Sequence, residues 1–207
     1  MPIFFEAEQG SDAWHAHRAG HATASRFKDI LSDKGARESY MWELIAERLA
    51  KQAKRAAGSK SMEWGHQSEP LAREEYLIQT GNLVQLVGFA VHSKIKWVGA
   101  SSDGLVAKDG SIEIKSPFNS GIHVRTLGLG MPSNHVPQTQ GNLWILERQW
   151  IDFCSYDPAF DSPYNLHIER HHRDEAFIRH LEKEVKSFLA ETNVTMKKLT
   201  QRKGIAA

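Results

Sequence analysis

Ser111-Ile112-Glu113-Ile114-Lys115 decides how the middle of this 207-residue chain is read. Side chains alternate across a strand, so Ile112 and Ile114 share one face and Glu113 and Lys115 the other. Upstream, Lys108-Asp109-Gly110 is a turn signal and Gly104 to Ala107 reads as another strand, which makes the two a hairpin. Asp103 stands just before that strand, and the turn brings its carboxylate back toward Glu113. Two close carboxylates repel, and a shared cation relieves them. A hard cation such as Mg²⁺ takes oxygen ligands and keeps several waters, which suits Asp plus Glu with a backbone carbonyl.

Outward from the hairpin, strand patterns cover Leu83 to Val91, Trp97 to Ala100, Trp150 to Tyr156 and Tyr164 to Glu169. Helical spacing occupies much of the rest. Thr23-Ala24-Ser25 caps a short helix through Phe27, Ile30 and Leu31. Glu38 to Lys54 carries Met41, Leu44, Ile45 and Leu49 at helical intervals, and the polar stretch Arg55 to Ser61 ends it. Trp64 to Thr80 is helical with Leu71, Tyr76 and Leu77 along one face, and Gly81-Asn82 stops it. Pro70 leaves open whether that helix begins near Glu69 or runs through it. Pro137 suits the first turn of a helix carrying Leu143, Trp144 and Leu146. Arg173 to Glu191 sets Phe177, Leu181, Val185 and Phe188 on one side, and the basic tail Lys197 to Lys203 has no strong pattern. The order of elements describes an α/β fold with a mixed sheet. With no repeat, low-complexity tract or linker, residues 1–207 read as a single domain.

Apolar residues make up 41% and charged residues 25%, the balance of an ordinary soluble globular protein. No apolar run is long enough to cross a bilayer, and no basic-then-apolar leader opens the chain, so no membrane role is expected. The lone Cys154 cannot form an internal disulfide, which fits a reducing cytosol. A net charge of +1 means that any binding to DNA must use a local concentration of charge. Eleven histidines raise the question of zinc, with His15/His17, His167 and His171/His172 as the groupings, but neither Cys pairs nor HExxH accompany them. A Gly-rich phosphate loop after a strand and a GxSxG elbow are both absent, and Cys154 in an apolar strand reads as core.

A metal held by Asp103 and Glu113 can bind a phosphodiester oxygen, position a water and lower that water's pKa. Lys115 beside it can orient the water and neutralise charge growing at phosphorus. Glu69, arriving from the preceding helix, can complete a site for one or two metals. The bland alternative is an exposed Glu-Lys pair worth about 0–1 kcal/mol, a turn at Asp103-Gly104, and a Glu69-Arg73 surface pair.

The surrounding words separate these readings. Asp103-x9-Glu113-x-Lys115 has the form of the PD-(D/E)xK nuclease motif. Gln9-Gly10-Ser11-Asp12-Ala13-Trp14-His15, Thr23-Ala24-Ser25, Trp64-Gly65-His66-Gln67-Ser68-Glu69, Ser101-Ser102-Asp103-Gly104-Leu105 and Glu113-Ile114-Lys115-Ser116-Pro117-Phe118 resemble segments of the phage lambda exonuclease and YqaJ-type viral recombinase family. Pro137-Gln138-Thr139-Gln140 and Tyr156-Asp157-Pro158 follow in the family's order. The resemblance implies a PD-(D/E)xK core, a central mixed β-sheet flanked by helices. It also implies a Mg²⁺-dependent 5′-to-3′ exonuclease, with Mn²⁺ able to substitute, that digests one strand of duplex DNA from an end. The expected partners are 5′-phosphorylated DNA ends, two further copies in a homotrimeric ring, and a single-strand annealing protein that takes the 3′-ended strand for recombination. The setting is the cytoplasm of a bacterium or phage-infected host cell.

Carried over by residue, the resemblance makes Asp103 and Glu113 metal ligands with the Ile114 carbonyl, and Lys115 the catalytic lysine. Glu69 falls near a second metal and the nucleophilic water, and Gln138 helps hold that water. Arg18, Ser25 and Ser101 form a pocket for the terminal 5′-phosphate, where a planar guanidinium can grip two oxygens. Met62 occupies the place of an apolar wedge that separates the terminal base pair. Ser102 stands where the motif has Pro, and Ser93 where the lambda enzyme has a further acid. Lys34 and Arg37 are both candidates for the base that completes the phosphate pocket. An endonuclease on the same fold would share Asp103, Glu113 and Lys115 without needing the Arg18 pocket. An inactive DNA-end-binding module is the alternative from outside the enzymes.

Overall fold

The computed structural model describes residues 1–53 and 59–204; Lys54, the expected end of one helix, and most of the polar stretch after it lie outside the described residues. In chain order the elements are β1 (Ile3–Phe5), α1 (Asp12–Arg18), β2 (Ala22–Thr23), a 3-10 turn (Ala24–Arg26), α2 (Phe27–Ile30), α3 (Lys34–Ala50), α4 (Lys60–Thr80), β3 (Val84–Gln85), β4 (Phe89–Val91), β5 (Val98–Ala100), β6 (Gly104–Val106) and β7 (Gly110–Lys115). There follow α5 (Ser120–Leu129), a 3-10 turn (Ser133–His135), α6 (Val136–Leu146), β8 (Trp150–Tyr156), β9 (Leu166–His172) and α7 (Glu175–Arg202).

The expected hairpin is β6–β7, with Gly104 opposite Ile112. That register brings Asp103 level with Glu113 where the ladder ends. The hairpin sits in a mixed five-stranded sheet ordered β3-β6-β7-β8-β9. Only the β7–β8 pair is parallel there, and α5 and α6 supply the crossover that parallel neighbours require. A second sheet, β1-β4-β5-β2, stands apart. The single strand expected over 83–91 is therefore two strands in two sheets. The chain changes sheet at Gly88, where a Cβ would lie 2.2 Å from the Phe5 carbonyl oxygen, so only glycine fits.

The helices correct the expectation in three places. α4 runs through Pro70, although proline supplies no N–H to the preceding turn. Its buried residues are Ser68, Ala72 and Tyr76, while Leu71 and Leu77 are exposed. The small Ser and Ala let the helix lie close on the sheet, where Ala72 and Tyr76 meet Ile112 and Ile114. Asp33 starts α3 before Glu38 by accepting the Ala36 N–H, and α7 continues through the basic tail to Arg202. α1 and α5 have no counterpart in the sequence reading.

α6 lies between two layers, which is why residues 139–146 are all buried. Trp144 and Ile145 pack into a core with Phe27 of α2, Leu44 of α3 and Phe188 of α7. Glu113 of β7 is reached by two other α6 side chains, Gln138 and Asn142. Among the described residues no helix is long and apolar enough to cross a membrane.

Candidate active site

Ile112 and Ile114 fill the core on one side of β7, as the alternation requires. The other face is not open to solvent, because Glu113 is 1% exposed. Burying a carboxylate is costly unless donors meet it. Lys115 Nζ and Gln138 Nε2 each donate to Glu113 Oε1 at 2.5 Å, and Asn142 Nδ2 donates to Oε2 at 2.9 Å. The pair is thus half-buried: Glu113 is enclosed, while the Lys115 side chain remains 34% exposed. Burial opposes the charge on Lys115, but the charges of Glu113 and Asp103 outweigh it and raise its pKa.

Asp103 Oδ2 accepts the Ile114 N–H at 2.6 Å, which ties the acid to the strand carrying Glu113. Burial, then the Glu113 charge, hold the Asp103 carboxyl well above the usual carboxylate range; Glu69 adds to the rise and Lys115 opposes it. Glu69 keeps the expected ion pair with Arg73 and also contributes to this field. The ion pair is the surface-pair role weighed for it, and the shared field places it near enough to Asp103 to be felt there.

A carboxyl crowded by other carboxylates is what a divalent cation relieves. Among the described residues no three His, Cys, Asp or Glu side chains already stand as a complete ligand set. Asp103 and Glu113 would need oxygens from backbone or water beside them, and a hard cation that keeps several waters fits that donor chemistry. The histidines form no alternative site. His123 is bonded to the Ser155 hydroxyl and the Tyr164 carbonyl, and His167 and His171 flank Glu169. Cys154 is buried, as its apolar strand implies.

The loop before β6 joins this cluster to a second feature. Ser102, in the place of the motif's Pro, is buried with its hydroxyl 3.0 Å from the carbonyl oxygens of Gly104 and Ile112. Gln9 Nε2 donates to the Ser102 carbonyl at 2.7 Å. Next to it, Ser101 Oγ accepts from Trp14 Nε1 at 3.1 Å and Arg18 Nη1 at 3.0 Å. Arg18 also lies over the Trp14 ring, 4.2 Å from its centroid. Arg18 and Ser25 line one cavity of about 480 Å³ with Thr23, Arg26 and Met62. Ser25 does not cap a helix; its hydroxyl meets that of Thr23 at 3.3 Å. Met62 is exposed on the first turn of α4 rather than in the core.

Other expected residues lie elsewhere. Arg37 pairs with Glu191 of α7 at 2.7 Å, and both Lys34 and Arg37 line a different cavity. The second guanidinium at the Arg18 cavity is Arg26, held by Asp29 and by Glu43 at 3.0 Å. Ser93 bonds to Glu147 beyond the end of α6, away from Asp103.

Two site residues escaped the sequence reading. Asn142 could have been found only as a polar residue one helical turn after Gln138 in an otherwise apolar run. His135 shares a small cavity with Lys115 and packs on Phe153, with ring centroids 5.3 Å apart. Burial, then the Lys115 charge, lower its pKa to about 4, so it is neutral near pH 7.

The model of the YqaJ-like viral recombinase domain matches residues 13–149. The alkaline exonuclease LHK-Exo of Laribacter hongkongensis is 37% identical over 94% of this chain and 98% of that chain, with a TM-score of 0.89. The same values hold for LHK-Exo in complex with dAMP. A phage-related exonuclease from Haemophilus somnus, 15% identical over 86% of this chain and 96% of that one, shares the fold with a TM-score of 0.65. No curated protein sequence matches the chain.

Proposed function

The chain belongs to the YqaJ-like viral recombinase family, and from that premise we propose that it is a Mg²⁺-dependent 5′-to-3′ exonuclease of duplex DNA ends, acting through one domain. The observation that carries the reading is the joining of two centres at Ser101-Ser102-Asp103. Ser101 accepts from Arg18, which lines the proposed phosphate cavity, and two residues later Asp103 meets the strand of Glu113. An endonuclease needs the second centre but has no use for the first. The nuclease class itself accords with the family and its alkaline exonuclease relative.

In this reading Arg18, Ser25 and Ser101 hold the terminal phosphate, and Met62 lies beside the terminal base pair. Asp103, Glu113 and the Ile114 carbonyl would hold Mg²⁺, or Mn²⁺ in its place, with Glu69 nearby. Such an ion, when bound, would polarise the scissile phosphate and acidify a water. Lys115 stays charged beside Glu113, where it can steer that water and stabilise charge growing at phosphorus. Gln138 holds Glu113 and from there can also touch the water. A ring of three copies in the cytoplasm, handing the 3′-ended strand to an annealing protein, is the assembly the family resemblance supports.

Linear duplex labelled at each 5′ and 3′ terminus tests the activity and its direction. Mg²⁺ should release the 5′ label as mononucleotide, EDTA should abolish release, and closed circles should stay intact. Cutting of closed circles would establish the endonuclease instead. Loss of Arg18 should act at the end alone. Arg18→Ala should slow initiation on 5′-phosphorylated ends by about 10–100-fold, the worth of a charge-assisted bidentate grip, and spare 5′-hydroxyl ends. Equal slowing on both ends would remove the phosphate-pocket assignment.

A further inference from the structure

We propose that Asn142 is a positioning residue of the nuclease centre, holding the Glu113 carboxylate in the orientation that meets a divalent cation. The inference rests on the nuclease reading above and adds a residue to it.

Asn142 is wholly buried in α6, among residues that pack as core. Its Nδ2 donates to Glu113 Oε2 at 2.9 Å, while its Oδ1 is buried and has no hydrogen-bond partner among the described residues. A buried acceptor without a donor destabilises a fold, and an apolar side chain of similar size would avoid that cost. The bond to Glu113 is what the asparagine gains there.

The geometry gives that bond a purpose. Gln138 and Asn142 are four residues apart, so they project from the same face of α6. They divide the two oxygens of Glu113: Gln138 and Lys115 donate to Oε1, and Asn142 donates to Oε2. A carboxylate held at both oxygens cannot turn about its last torsion without losing a bond. Oε1 thus has both lone pairs engaged, and Oε2, the oxygen that Asn142 holds, keeps its second lone pair for a cation. Removing Asn142 leaves both remaining donors on one oxygen and the other free to swing. Hydrogen-bonding partners of this kind orient metal ligands, and losing one typically weakens metal binding or activity about 10–100-fold.

The test uses Asn142→Leu and Asn142→Ala in the full chain. Mn²⁺ binding to the DNA-free protein is followed by electron paramagnetic resonance, steady-state cleavage is measured on 5′-phosphorylated duplex, and melting midpoints are recorded. Mn²⁺ affinity and kcat should both fall about 10–100-fold. KM for ends should hold within about twofold, because the interaction acts on the chemical step. The melting midpoint of Asn142→Leu should change little, since relief of the orphaned acceptor offsets the loss of the donor to Glu113 Oε2. Unchanged Mn²⁺ affinity and kcat in a folded variant overturn the proposal, as does a rise in KM alone. If neither variant folds, Asn142 is structural and the proposal is again overturned. A wild-type protein that neither binds Mn²⁺ nor cuts DNA overturns the nuclease reading itself; a wild type that does both while Asn142→Leu matches it overturns this inference alone.

Discussion

Replacing Lys115 with alanine is expected to lower DNA cleavage by about 100–1000-fold while duplex ends are still bound. Among the described residues the ammonium is the one cation paired with Glu113, at 2.5 Å, and the charge of Asp103 also raises its pKa. Its loss removes the group that the proposed mechanism uses to stabilise charge at phosphorus and leaves Glu113 with amide donors only. In the proposed reading end binding uses the Arg18 cavity, which Lys115 does not line. The variant should also melt earlier in EDTA than in Mg²⁺, because Asp103 and Glu113 then lose the cation beside them, while Glu69 keeps only its own partner Arg73. Gel-shift binding, cleavage rate and melting with and without metal check these outcomes. A variant that cuts at the wild-type rate would end the assignment of Lys115 to catalysis.

Arg170→Ala is expected to destabilise the protein by about 3 kcal/mol, lowering the melting midpoint by about 6–12 °C for a chain of this size. Asp152 of β8 is 1% exposed and accepts from Arg170 Nε at 2.8 Å, Arg170 Nη2 at 2.9 Å and the Tyr76 hydroxyl at 2.7 Å. Without Arg170 the buried carboxylate keeps a single neutral donor. The estimate sits at the low end for breaking a buried pair because Arg170 itself is 45% exposed. Arg170 also covers the Trp150 ring, with its guanidinium carbon 3.7 Å from the centroid. Asp152→Asn added to Arg170→Ala should recover part of the loss, since removing both charges costs less than stranding one. Calorimetry of the single and double variants decides it; a midpoint within about 2 °C of wild type for Arg170→Ala would mean that solvent already satisfies Asp152. Tyr76 anchors α4 to the sheet, and α4 carries Glu69, so the same network steadies one wall of the site.

The central hairpin was legible because a period of two and a turn signal are local. Ile112 and Ile114 went to the core and Asp103 came level with Glu113 as the pattern required. Single residues in quoted words also found their neighbours: Gln9 on Ser102, Trp14 and Arg18 on Ser101. Apolar periodicity misjudged α4, where Ser68 and Ala72 are buried and Leu71 is not. Hydropathy ranks leucine above serine, but close approach of a helix to a sheet selects small side chains.

The sequence by itself thus determined the alternation of β7, the meeting of acid and lysine on one face, and the family. Tertiary structure alone decided what covers that acid pair. Glu113 and Lys115 carry no mark that says whether their face meets water or a helix. Gln138 and Asn142 reach Glu113 from 25 and 29 residues away. No local period encodes such a contact. It exists because β7 and β8 are parallel neighbours, and the crossover between them lays α6 over the charged face.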